Sequence, residues 1–133
     1  MKVFDSNGRL QIKSPISIGS FGITIDGGGS VIATGSKGYI QIPFGMTITE
    51  WDLFADVSGS IVIDLKKSTY AGFPTTSSIA GSDKPTLSSA QKNTSTLLTG
   101  WSLSILSGDV IEFNVDSAST VTRVTLIIKG NRV

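Results

Sequence analysis

Apolar and polar positions alternate along most of this chain in short runs. Ile61, Ile63 and Leu65 share one parity, and Ile111, Phe113 and Val115 alternate with Glu112, Asn114 and Asp116. A period of two puts successive side chains on opposite faces of an extended strand, so each run reads as a strand with one buried face. Residues 21–26, 31–34, 39–42 and 120–129 read the same way. Between Met46 and Ala55 the phase changes, with Met46 and Ile48 on one parity and Trp51, Leu53 and Ala55 on the other. A one-residue slip of this kind predicts a β-bulge near Thr49 and Glu50. Turn chemistry separates the runs: Gly27-Gly28-Gly29-Ser30, Gly35-Ser36-Lys37-Gly38, Ser58-Gly59, Ser107-Gly108-Asp109 and Asp116-Ser117-Ala118-Ser119. Strands at intervals of about 8–12 residues, with no amphipathic helical run, predict an all-β fold. The expected form is an antiparallel β-sandwich, jelly-roll-like.

Two stretches depart from that rhythm. Residues 67–96 show little alternation and are rich in Ser, Thr, Gly and Pro. Loops of such length in a compact domain are usually functional or disordered. Tyr70, Phe73, Ile79 and Leu87 are spaced through it like anchors, which predicts an ordered excursion over a sheet edge or a neighbour. A short helical turn at 85–92 is weakly signalled by Pro85. Residues 1–20 are the second departure. Val3-Phe4 and Leu10-Gln11-Ile12 flank Ser6-Asn7-Gly8, a hairpin signal because Asn and Gly tolerate positive φ. The flanks are too short to bury a core. Residues 1–20 therefore read as a short extended arm, with Val3, Phe4, Leu10 and Ile12 as its apolar anchors, ahead of a sandwich domain at 21–133.

The outward parity of several strands is also apolar. Val62, Leu98, Val110, Val121 and Ile127 fall there, and clustered they would form a subunit interface. Trp51 and Trp101 share parities with aliphatic residues and are expected in the core or a subunit seam. Tyr70 and Phe73, in the long excursion, are the residues expected to serve surface recognition.

Composition narrows the chemistry. The chain has 133 residues, 39% hydrophobic and 16% charged, which suits one domain. Its 11 basic and 10 acidic side chains show no basic stripe, so nucleic acid is not an expected partner. With no Cys and no His, disulfide frameworks, thiolate nucleophiles, His-based triads and the commonest zinc ligands are excluded. No apolar run exceeds three residues, so neither a secretory leader nor a membrane span is expected, and the chain reads as made in a cytoplasm. Asn93-Thr94-Ser95 is then a chance match to a glycosylation acceptor.

The remaining chemistry rests on carboxylates. Asp52 with Asp56, and Glu112 with Asp116, are close enough in sequence to consider as glycosidase pairs. Each lies near a strand end, where turn or rim service is the commoner use, and no catalytic residue is assigned. Asp26 and Asp109 read as turn residues bonding nearby backbone N–H groups. The triple glycine lacks phosphate-loop spacing, and no EF-hand loop is present. Neither a metal nor a cofactor is expected. Arg123 is expected in a cross-strand or cross-subunit ion pair.

Residues 38–129 resemble a β-sandwich domain found repeatedly in phage tail, fibre and other virion structural proteins. The resemblance rests on an ordered series of segments. They are Tyr39-Ile40-Gln41-Ile42-Pro43-Phe44, Ile48-Thr49-Glu50-Trp51, Ser58-Gly59-Ser60-Ile61-Val62-Ile63-Asp64 and Lys67-Ser68-Thr69-Tyr70 with Pro74. Lys84-Pro85-Thr86-Leu87-Ser88, Leu98-Thr99-Gly100-Trp101, residues 108–117 and Thr122-Arg123-Val124-Thr125-Leu126 complete it. Residues 3–11 also look like leaders seen on small phage structural proteins. The resemblance implies a non-enzymatic virion role, commonly as a homotrimer. A tail fibre usually carries this domain behind a long shaft, whereas an arm of about twenty residues precedes it here. The expectation is therefore a capsid decoration or short head-fibre subunit, located in the virion, whose partners are itself and the major capsid protein or another virion protein. The competing expectation is a tail-fibre or tail-tip module that binds a receptor or host surface glycan through Tyr70 and Phe73. A carboxylate-based glycan hydrolase is a third.

Overall fold

The alternating runs form strands in a computed structural model, which describes the backbone of residues 2–4 and 10–12 and all atoms of 6–8 and 17–133. The strands are β1 (Lys2–Phe4), β2 (Leu10–Ile12), β3 (Ser17–Asp26), β4 (Gly35–Gln41) and β5 (Met46–Ser68). They continue with β6 (Ser77–Ser78), β7 (Thr86–Ser95), β8 (Ser104–Ile105), β9 (Val110–Ser119) and β10 (Arg123–Arg132). Every pairing is antiparallel.

One long strand organises the body. β5 has 23 residues and changes partners midway. Its first half, 46–55, lies between β10 on one side and β8 and the end of β7 on the other. Its second half, 60–68, lies between β9 on one side and β6 and the start of β7 on the other. β3 extends the first layer beyond β10, and β4 extends the second beyond β9. The two layers are therefore β3-β10-β5-β7 and β4-β9-β5-β7, with β5 and β7 each crossing from one to the other. That is the strand order of a jelly roll in which two pairs of strands run on through the corner.

The core fills the space between the layers. Trp51, Leu53, Leu126 and Ile128 of the first are buried, as are Ile63, Leu65, Phe113 and Val115 of the second. Phe21 of β3 reaches Phe113 of β9 with ring centroids 6.5 Å apart. The expected bulge is present: β10 pairs Lys129 with Glu50 and then Gly130 with Ile48, leaving Thr49 as the extra residue. This slip explains the change of apolar phase in β5.

Six expectations are corrected. Gly35-Ser36-Lys37-Gly38 opens β4 and Asp116-Ser117-Ala118-Ser119 closes β9, so neither is a turn between strands. Ser58-Gly59 is not a turn between strands; β5 runs through it and bends. The connection between β9 and β10 packs on this corner, and a Cβ at Gly59 would stand 2.7 Å from the Ser119 carbonyl oxygen and 2.8 Å from Val121. Residues 85–92 are not a helical turn but the start of β7. The excursion at 67–96 thus contains two strands, β6 and β7. β7 escaped notice because Leu87 is its one buried side chain, so it has no apolar alternation to read. Residues 31–34 precede β4 instead of forming a strand. β3 also begins earlier than the strand expected at 21–26, pairing with β10 from Ser17 onward.

Candidate binding groove

The outer face of the second layer carries a concave feature. In the β4–β9 register Ile40 lies opposite Ile111, a core residue, so the alternate pairs Tyr39–Glu112 and Gln41–Val110 belong to the outer face. Val110 in turn lies opposite Ser68 of β5. After β5 the chain folds into a tight turn built on Thr69. Its hydroxyl accepts the Gly72 N–H at 3.0 Å, and its carbonyl accepts the Phe73 N–H at 3.1 Å. The turn brings Phe73 against Tyr39, with centroids 4.9 Å apart and planes at 83°, the edge-to-face contact that ring quadrupoles favour.

Between β4 and this turn runs an open groove of about 560 Å³, with Tyr39, Gln41, Tyr70, Phe73 and Val110 on its lining. Tyr70 is 77% exposed and Phe73 42%. Gln41 Nε2 donates to the Gly108 carbonyl at 3.2 Å. The Ser68 hydroxyl, buried in the Gln41–Val110–Ser68 row, has no hydrogen-bond partner among the described residues. The structure therefore brings together Tyr70 and Phe73, the two aromatics expected to serve recognition, and adds Tyr39 and Gln41. Sequence did hold a signal for these two: they take the polar parity of a strand whose other face is Ile40 and Ile42.

The carboxylates are engaged in holding the fold. The Asp56 carboxylate accepts the Thr122 hydroxyl and the backbone N–H of Thr122 and Arg123. That set, with the Thr122 hydroxyl foremost, holds it below the usual carboxylate range. Burial pushes Asp52 up, but hydrogen bonds from its neighbours outweigh this, and Lys129 Nζ stands 3.0 Å from its Oδ2. The Thr76 hydroxyl holds Glu112 down, assisted by Ser36, the Lys66 charge and Tyr39. Burial raises Asp116, and the Lys84 ammonium at 2.8 Å and the Asn114 amide overcome it. The carboxylates of both sequence pairs are therefore held below the ordinary range by partners within the fold. Asp26 accepts the Gly28 N–H at 2.8 Å, and Asp109 the Leu106 N–H at 2.9 Å, as turn residues do. Arg123 meets Asp26 across β10 and β3 at 3.3 Å.

Both tryptophans are core residues, Trp51 1% and Trp101 8% exposed. Their indole N–H groups donate to the same acceptor, the Asp83 carbonyl oxygen, at 3.0 and 2.9 Å. The Asp83 side chain accepts the Leu98 N–H at 2.9 Å and the Ser95 hydroxyl. Sequence reasoning passed over Asp83 entirely.

The expected interface residues do not form one surface. Leu98, Val110 and Val121 are buried within the single chain. Leu98 adopts φ of 49° in a turn closed by the Trp101 N–H, so strand parity does not apply to it. Val121 lies in the β9–β10 connection, where its carbonyl accepts the Ile32 N–H at 3.1 Å. Val110 does face outward, but it is buried on the lining of the groove that also holds Tyr70 and Phe73. Val62 and Ile127 are half-buried and belong to different layers. The side chains of Val3, Phe4, Leu10 and Ile12 lie outside the described residues; β1 and β2 pair as a hairpin, Phe4 opposite Leu10.

Comparison with known proteins places no family on the chain. No family model matches, and no curated protein matches. Among solved structures, a serine protease of Aeromonas sobria aligns over 90% of this chain at 11% identity and a TM-score of 0.34. A structure of infectious bursal disease virus, Gx strain, aligns over 90% at 11% identity and a TM-score of 0.28. The chain spans 28% of the first and 37% of the second.

Proposed function

We propose that this protein is a non-enzymatic structural protein of a phage virion, a capsid decoration or short head-fibre subunit that assembles as a homotrimer. It is anchored by its N-terminal arm to the major capsid protein or another virion protein. The observation that carries this reading is the division of the chain into two sheets. Among the described residues β1 and β2 pair with each other as a two-stranded sheet separate from the eight-stranded one. A lone two-stranded hairpin is marginal in water and gains stability by docking on another surface. Residues 2–12 bring Val3, Phe4, Leu10 and Ile12 to such a docking. In a trimer, one docked arm holds the others at high effective concentration, so weak individual contacts suffice.

Two further observations support it. The segment resemblance of residues 38–129 is to virion domains. The carboxylates at Asp52, Asp56, Glu112 and Asp116 serve as anionic partners within the fold, which suits a protein that does no chemistry. Deleting residues 2–13 tests the proposal. The truncated body is expected to keep its oligomeric mass and lose incorporation into particles. Decoration of particles by the truncated protein would refute the anchoring role.

A further inference from the structure

We propose that the groove between β4 and the turn at residues 69–73 binds a neutral saccharide, contacting it chiefly through Tyr70 and Tyr39. This does not rest on where in a particle the protein sits.

The first argument is exposure. Tyr70 and Phe73 leave apolar ring surface in water beside Tyr39, 47% exposed, on a face that otherwise presents Lys66, Glu112 and Asn114. Contiguous apolar surface rimmed by polar groups marks a binding site more often than chance packing. The second is chemical match. A pyranose ring offers a flat patch of C–H bonds and a rim of hydroxyls, and tyrosine offers an apolar face with a polar tip. Gln41 adds a fixed amide: its Nε2 is committed to Gly108, which leaves Oε1 as an acceptor for a hydroxyl.

Charge selects among sugars. No residue lining the groove is charged. Of the charged groups on this face, Glu112 is held by Thr76 with the Lys66 charge beside it, and Asp109 lies 3.6 Å from Lys67. An anionic saccharide would lose hydration and gain no counter-charge from the lining. Size suits a small ligand. A volume of about 560 Å³ falls within the ~300–1,000 Å³ of small-ligand sites. The edge-to-face contact and the Thr69 turn hold the wall in place before a ligand arrives, which lowers the ordering cost of binding.

The test is saturation-transfer NMR on the full chain with lactose, maltose, cellobiose and N,N′-diacetylchitobiose, and with sialyllactose as the charged comparison. Transfer is expected to the C–H face of at least one neutral disaccharide, with sialyllactose weaker than lactose. Tyr70→Ala should weaken that binding at least tenfold at an unchanged melting temperature, because Tyr70 is the most exposed of the three rings. Phe54→Ala, on the outer face of the other layer, should leave it unchanged. Absence of transfer to every neutral sugar overturns the proposal. So does a preference for sialyllactose, or full binding by Tyr70→Ala. A fall in oligomeric mass caused by Tyr70→Ala also overturns it, by making a second copy the groove's occupant.

Discussion

Asp83 shows how one residue can tie together segments that the sequence keeps apart. Its carbonyl receives both indole N–H groups, while its carboxylate receives the Leu98 N–H and the Ser95 hydroxyl. The two functions separate on mutation. Asp83→Ala keeps the carbonyl but leaves the buried Leu98 N–H unpaired, which is expected to cost about 1–3 kcal/mol in urea unfolding. Trp101→Phe removes one indole donor and leaves the carbonyl satisfied by Trp51, so a smaller loss, about 0.5–1.5 kcal/mol plus any packing defect, is expected. Charges behave in the same local way. Asp56 and Glu112 are held below their ordinary values of 3.8 and 4.5, so they add stability above those values. That stability is lost as pH falls through the lower folded values. Lys84, raised chiefly by Asp116, and Lys129, raised chiefly by Asp52, add stability below 10.5 that is lost as pH climbs past it. Melting temperature should therefore fall at both extremes, and Thr122→Ala should flatten the acid limb. Asp26 and Asp109 were legible in the sequence because their partners lie two and three residues away. Asp83 was not, because Leu98 lies 15 residues from it and Trp51 32.

At the scale of elements, the corner in β5 determines the architecture. β10 accompanies the strand as far as Ala55, and β9 takes over at Ser60. Gly59 sits between them, under the connection that joins these two partners. Its φ is not in the left-handed region, so space alone excludes a side chain. Gly59→Ala is expected to destabilise by about 1–3 kcal/mol, since the obstructing Ser119 oxygen is backbone and cannot rotate aside. The denaturant midpoint should fall with its slope unchanged. The bulge at Thr49 was readable because it shifts the apolar phase of a strand buried on one face. β7 was unreadable for the opposite reason: Ser, Gln, Lys, Asn and Thr occupy its exposed positions, and backbone pairing with β5 needs no side-chain pattern.

At the scale of the whole molecule, the apolar surface available for association differs from the one expected. With Leu98, Val110 and Val121 buried inside the chain, the outer face of the first layer offers Phe54, 45% exposed, diagonal to Ile127 in the register. If copies assemble through this face, Phe54→Glu and Ile127→Glu should each lower the mass measured by light scattering while the melting of the separated chain persists. A chain that is monomeric at micromolar concentration before mutation would remove the trimer from the proposal.

Periodicity by itself determined that the molecule is all-β, where most strands lie, that the bulge falls near Thr49 and that Trp51 shares the buried face of its strand. These are consequences of side chains alternating across a strand, a relation between near neighbours in the chain. The tertiary structure alone decided that β5 and β7 pass through both layers, that three outward-reading apolar residues are covered, and that Tyr39 and Gln41 join Tyr70 and Phe73 in one groove. Each of these depends on which distant segment lies opposite, and an alternating pattern states which face of a strand is apolar without stating what will cover it.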